Sequence, residues 1–178
     1  NAYSRAGSLE QSLRESNAVK VMIDHHQQPE DWPDYIYSDV SMSSTSQMIY
    51  EFADMHGWLD HLNKDAADCL YTGIVTDTGS FRFSSTSART LSIAAHLMNL
   101  GVVPNEIYNY VFDNNSISRL RLLGAMLDNM EYLSEYNAVI LYLNKEDQQK
   151  HNYNRGDSEG FVNYGLSIGG VKVSIFLR

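Results

Sequence analysis

Five consecutive residues, Ile23-Asp24-His25-His26-Gln27, concentrate the chemistry of the first half of the chain. An acid beside two imidazoles can ligate a metal, move a proton or meet a phosphate. The stretch before them, Ala18-Val19-Lys20-Val21-Met22-Ile23, is short, β-branched and mostly apolar, and reads as a buried strand. Open α/β sheets place their ligands at the carboxyl ends of parallel strands, where this triplet would fall. Successive strand residues point to opposite faces, so His25 and His26 are expected to do different work. Asp24 can accept a hydrogen bond from a ring nitrogen and fix the tautomer of a metal-ligating histidine. The bland alternative is a pair of exposed loop histidines, and a second cluster weighs against it.

That cluster follows a helix over residues 64–78, for which Asn63 reads as the cap. The apolar face of this helix, Ala66, Leu70 and Gly73/Ile74, continues by helical spacing to Asp77. A carboxylate on an inner helix face, with no Lys or Arg one turn before it, is costly unless paired. Arg82, close in sequence, or a metal ion would serve. Thr76-Asp77-Thr78-Gly79-Ser80-Phe81-Arg82 then leaves the helix through a glycine.

Composition sets the frame. A chain of 178 residues with 43% hydrophobic content holds one medium domain, or one and part of another, with a core. No apolar run approaches a membrane span. A net charge of -9 argues against tight binding to long duplex nucleic acid, but not against a metal-filled pocket for a small phosphorylated ligand. The single cysteine, Cys69, excludes an internal disulfide, fits a reducing cytoplasm, and is expected in the core of its helix. The chain starts at Asn1 without methionine and stops at Arg178 inside a strand-like run, so a segment of a longer protein is expected, truncated at both ends.

The remaining elements must position these residues. Residues 8–16 read as a short helix capped by Ser8, and Tyr35-Ile36-Tyr37 as a short edge strand. Ser43, Ser44 and Thr45 read as caps of a helix closed by Gly57, with an anion site at its N-terminus as the alternative. A long helix starts at Thr86 or Ser87, another at Pro104, and a third, capped by Ser116, carries a stripe of Leu120, Leu123, Met126, Leu127 and Met130. This third helix is expected to lead from one domain to the next. The tail, residues 138–177, reads as β-α-α-β. His56, His61, His96 and His151 lie among polar residues and are not taken as ligands.

With Asp24-His25-His26 and Gly73-Ile74-Val75-Thr76-Asp77-Thr78-Gly79-Ser80-Phe81 both in view, the chain resembles the DHH phosphoesterase superfamily. Its bifunctional oligoribonuclease and pAp (3'-phosphoadenosine 5'-phosphate) phosphatase branch is the nearest likeness. Ser4-Arg5-Ala6-Gly7, Ser43-Ser44-Thr45 and Gly156-Asp157-Ser158-Glu159-Gly160-Phe161-Val162-Asn163 support it. The resemblance implies an α/β fold with a parallel-sheet DHH domain over residues 1–115. A linker helix over 116–134 and the start of a smaller α/β, DHHA1-like, substrate-binding domain over 135–178 complete it. It implies two manganese ions in the complete protein, magnesium being the substitute, with His25 and Asp77 as ligands and Asp77 bridging. Asp24, His26 and Asp77 would form the catalytic group, with His26 facing the scissile phosphate. Arg82 reads either as a substrate-phosphate contact or as pairing with Asp77 or another acid as structure only, the second being preferred. The other ligands would lie before Asn1, and a glycine-rich substrate motif after Arg178.

The expected function is therefore manganese-dependent, two-metal hydrolysis of short single-stranded oligoribonucleotides and of pAp in the cytoplasm. Duplex DNA and membranes are not expected partners, and a homodimer is left open. The rival readings are an inorganic pyrophosphatase or polyphosphatase of the same superfamily and a nucleotide-binding module without catalysis.

Overall fold

The structure, a computed structural model, describes residues 2–178. The chain forms two compact units, the first ending at Tyr108 and the second spanning Asn109–Arg178.

In the first unit a 3-10 segment, Tyr3–Leu9, runs into α1 (Glu10–Glu15). Ser8 is not a cap. The turn at Gly7, with φ of 57°, draws it into the 3-10 run, and Leu9 precedes the first α-turn without a side-chain bond. Strand β1 (Val21–Asp24) pairs in parallel with β2 (Tyr35–Ser38), Val21 opposite Tyr35 and Asp24 opposite Ser38. The strand begins later than the apolar run, because Lys20 is taken by the loop before β2: its N–H donates to Asp34 Oδ2 at 2.7 Å. It is also buried on one face only. Met22 and Asp24 are buried while Val21 is exposed, which is the alternation of a half-covered strand.

Three helices cover this sheet's unit. Ser44 caps α2 (Thr45–Met55), Asn63 caps α3 (Lys64–Asp77), and Ser87 with Thr90 forms a capping box on α4 (Ala88–Asn99). Ala67, Leu70, Tyr71, Ile74 and Val75 of α3 meet Ile93, Ala94 and Leu97 of α4 in the core. Helices α2 and α3 touch at Gly73, where a Cβ would lie 1.9 Å from Ser46 Oγ. Arg89 of α4 ties Glu51 and Asp54 of α2 at 2.6 and 2.5 Å, and His96 Nδ1 meets the Tyr50 hydroxyl at 2.7 Å. α5 (Pro104–Val111) opens on proline, whose missing N–H costs nothing in a first helical turn.

Two expectations for α3 fail for one geometric reason. The buried row runs through Ala67, Leu70, Tyr71, Ile74 and Val75, slightly rotated from the expected face. At roughly 100° per residue, Cys69 then stands on the opposite side of the helix, and it is exposed rather than in the core. Asp77 falls at the edge of the row, and its side chain is 43% exposed.

The second unit contains α6 (Ile117–Asp128), β3 (Glu131–Leu133), β4 (Ala138–Tyr142), α7 (Lys145–Lys150), α8 (Val162–Leu166) and β5 (Val173–Leu177). Its sheet has the order β3-β4-β5, with β3 antiparallel and β5 parallel to β4. Strand β3 is absent from the sequence reading. It is three residues long and turns back through Asn137 in a left-handed conformation, φ 48°. Ser116 caps α6 as expected, but the buried row is Leu122 and Met126, packed on Val139, Leu141, Leu143 and Phe161. Leu120, Leu127 and Met130 are exposed, because the sheet lies against the i, i+4 row that begins at Leu122. The helix read as a connector thus packs on this unit's own sheet. Arg119 of α6 donates to the carbonyls of Gly156, Asp157 and Glu159 and holds that loop in place. Among the described residues, no helix is long and apolar enough to cross a membrane.

Candidate functional site

Parallel pairing of β1 with β2 aligns their carboxyl ends, so the loops leaving Asp24 and Ser38 start side by side. His25 leaves the first and the turn at residues 39–43 leaves the second. Nδ1 of His25 lies 3.2 Å from the Met42 carbonyl oxygen. The other ring nitrogen, Nε2, lies 3.3 Å from Asp77 Oδ2. Asp77 reaches this point as the last residue of α3, which is positioned by its packing on α2 and α4.

The neighbouring histidine has a different partner. His26 Nδ1 lies 2.7 Å from Asp24 Oδ1, and the two imidazoles meet edge to face with centroids 4.6 Å apart. The sequence reading gives Asp24 to a metal-ligating histidine; the structure gives it to His26. Burial of Asp24 acts to raise its pKa, while the hydrogen bond and charge of His26 act to lower it, and the net is a pKa below its ordinary value. Asp39, in the adjacent turn, is also held below its ordinary value by the Ser41 hydroxyl and N–H.

The chemistry of the donor set indicates what His25 and Asp77 suit. A carbonyl oxygen only accepts, so the Met42 contact puts a proton on Nδ1 of His25. In the neutral ring Nε2 then turns a lone pair toward a carboxylate oxygen. Asp77 also sits at the negative end of the α3 dipole, where a carboxylate is disfavoured by about 0.3–1 kcal/mol. A cation between the two atoms relieves both conditions, and an imidazole beside a carboxylate is a donor pair for a divalent first-row metal ion. These two residues are a partial set. Among the described residues, no group of three His, Cys, Asp or Glu side chains is arranged to hold a metal ion.

Immediately after Asp77 the backbone takes an unusual path. Gly79, Ser80 and Phe81 follow one another at φ of 55°, 61° and 63°. Buried Thr78 fastens this left-handed turn. Its hydroxyl donates to the Ile74 carbonyl at 2.7 Å and accepts from Phe81 N–H at 3.0 Å. Phe83 closes over Gly79, so a Cβ there would stand 2.5 Å from the ring. Arg82 does not pair with Asp77. Its Nε donates to the Gly79 carbonyl at 2.8 Å, and the residue is exposed, with no ion pair to an acid among the described residues. The structure therefore brings His25 to Asp77 and Asp24 to His26, and leaves Arg82 outside both pairs.

Sequence reasoning misses the Met42 carbonyl, a backbone atom with no signature in residue type. It also misses Gln47, whose Oε1 accepts from the hydroxyls of Ser43 at 2.6 Å and Thr90 at 2.9 Å. The Ser44-x-x-Gln47 spacing is the only signal, and it points to a helix cap rather than to a network.

Residues 4–74 match the model of the DHH family, N-terminal domain. Over these residues the chain carries the DHH family's N-terminal domain. The chain is similar to the bifunctional oligoribonuclease and PAP phosphatase NrnA of Bacillus subtilis. The two are 32% identical over 164 residues, covering 90% of this chain and 51% of that protein. The protein of the same name from Thermus thermophilus is 30% identical over 160 residues, covering 89% and 46%. A crystal structure of an exopolyphosphatase-related protein from Bacteroides fragilis matches all of this chain and 52% of its own, with 40% identity and a TM-score of 0.94. The chain spans about half the length of the curated relatives it matches.

Proposed function

We propose that this chain supplies half of the metal site of a manganese-dependent phosphoesterase that hydrolyses short oligoribonucleotides and pAp. The observation that carries the reading is His25 Nε2 facing Asp77 Oδ2 at 3.3 Å. The pair stands beside a second Asp–His pair, at the carboxyl end of a parallel strand. The similarity to relatives named bifunctional oligoribonuclease and PAP phosphatase supplies the substrate class.

Each residue has a role in this reading. His25 and Asp77 would hold a divalent cation between them. Bound divalent ions supply hydroxide at neutral pH and neutralise charge on the phosphoryl oxygens. Asp24 accepts from Nδ1–H of His26 and so orients that ring, leaving Nε2 for the scissile phosphate. Arg82, with most of its guanidinium exposed, is available to the phosphate of a bound nucleotide. The cytoplasm is the proposed setting. The net charge of -9 provides no long electrostatic track for duplex DNA.

A second reading, hydrolysis of inorganic polyphosphate or pyrophosphate, is favoured by one observation: the matching structure is described as exopolyphosphatase-related. A substrate panel on the full-length protein with Mn²⁺ separates the two. It comprises dinucleotide to pentanucleotide RNA, pAp, a long RNA homopolymer, pyrophosphate and polyphosphate. Rapid release of mononucleotides from the short RNAs and of phosphate from pAp is expected. Turnover confined to the inorganic substrates selects the second reading, and turnover of none leaves a binding module. Comparable rates on the long homopolymer contradict the preference for short chains.

A further inference from the structure

Met42 serves the site through its carbonyl, and that carbonyl is held from both directions along the chain. Before it, Asp39 Oδ1 accepts from the N–H and the hydroxyl of Ser41 at 2.8 and 2.6 Å. The Met42 N–H donates to the Asp39 carbonyl at 3.3 Å, and the Asp39 N–H donates to the Asp24 carbonyl at 3.2 Å. The turn is thus an Asx turn fastened to the end of β1. After it, the Ser43 hydroxyl donates to Gln47 Oε1, which also accepts from Thr90. Ser43, Gln47 and Thr90 are all buried, so this anchor ties α2 to α4 out of reach of water. The peptide between Met42 and Ser43 therefore has little freedom to rotate, and its oxygen stays on His25 Nδ1.

An imidazole in solution exchanges its proton between the two nitrogens. Only the Nδ1-protonated form leaves Nε2 a lone pair for a metal on the Asp77 side. We propose that Asp39 and Ser43 are positioning residues that, through the Met42 carbonyl, hold His25 in this tautomer and present Nε2 to a divalent cation shared with Asp77. The inference rests on the metal reading above and adds to it the residues that prepare the ligand before any ion arrives.

The test reads the ring itself. Metal-free, full-length protein with isotope-labelled histidine is examined by proton–nitrogen correlation through the ring, with His25 assigned by its loss in His25→Ala. The wild-type ring should carry its proton on Nδ1. Asp39→Ala and Ser43→Ala should each move His25 toward the Nε2-protonated form and weaken Mn²⁺ binding, measured by calorimetric titration, about tenfold or more. Asp39→Asn keeps the accepting Oδ1 and should retain both wild-type properties. Asp39 lies near the surface, so its variants stay informative if removal of the buried Ser43 hydroxyl unfolds the protein. An Nε2-protonated wild-type ring, or an unchanged tautomer in Asp39→Ala, overturns the proposal. Undiminished Mn²⁺ binding in His25→Ala overturns the metal reading instead, and the tautomer measurement distinguishes the two failures.

Discussion

Asp24 Oδ1 lies 2.7 Å from Nδ1 of His26, the histidine two positions on, and not on its immediate neighbour His25. Strand alternation does not account for this: β1 ends at Asp24, and both histidines lie in the loop after it, their rings edge to face with centroids 4.6 Å apart. The loop turns His26 back onto Asp24 and leaves His25 Nε2 facing Asp77. Two adjacent imidazoles are thereby assigned to two different carboxylates.

The Asp24–His26 pair has a pH signature. The folded-state pKa of Asp24 lies below its ordinary value of 3.8. A depressed carboxyl pKa contributes stability that is fully present above the unfolded value and lost as pH falls through the folded one. Urea unfolding of the metal-free protein should therefore show stability declining as pH falls below the ordinary carboxyl value of 3.8, with a shallower decline in Asp24→Asn. Parallel curves for the two proteins would contradict the pairing.

His26 is expected to act on substrate more than on metal. His26→Ala should lower kcat by about a hundredfold or more while most of the Mn²⁺ remains bound. Metal analysis of the purified variant checks this. Loss of manganese to the same degree as in His25→Ala would overturn the division of labour.

Arg82 has no acid partner among the described residues, and its Nε bond to Gly79 leaves the rest of the guanidinium exposed. Arg82→Lys keeps the charge and removes the planar fork. KM for pAp should rise about tenfold, with Tm unchanged. A fall in Tm with KM unchanged would assign the residue to structure alone.

The left-handed turn after Asp77 predicts opposite effects at adjacent positions. Gly79→Ala meets both a φ of 55° and the Phe83 ring, and should cost about 1–3 kcal/mol. Ser80→Gly relieves a side chain at φ 61° and should leave stability equal or raise it by up to about 1 kcal/mol. Urea denaturation measures both, and a marked loss in Ser80→Gly would show that its side chain, not its backbone, matters there.

Much of the fold is legible because its signals are local. Ser44, Asn63, Ser87 and Ser116 announce helix starts by residue type, and each cap is present. The pairing of Asp24-His25-His26 with Gly73 to Phe81 points to the DHH family, whose N-terminal domain residues 4–74 match. What a linear reading lacks is rotation and contact. A small turn of α3 about its axis exposes Cys69 and brings Asp77 to the surface. The row of α6 that meets the sheet is fixed by β4, which lies later in the chain. Strand β3 is too short to establish a period. The Met42 carbonyl is identical in type to every other backbone oxygen, and only the parallel register of β1 and β2 brings it to His25.

In the proposed site His25 and Asp77 hold one divalent cation together. Calorimetric titration of Mn²⁺ into the full-length wild type, His25→Ala and Asp77→Ala tests it most directly. Both side chains are partly exposed, at 17% and 43%, so each variant should fold with a Tm within a few degrees of wild type. Each should lose Mn²⁺ affinity by about a hundredfold or more. Wild-type Mn²⁺ affinity in either folded variant would contradict the account.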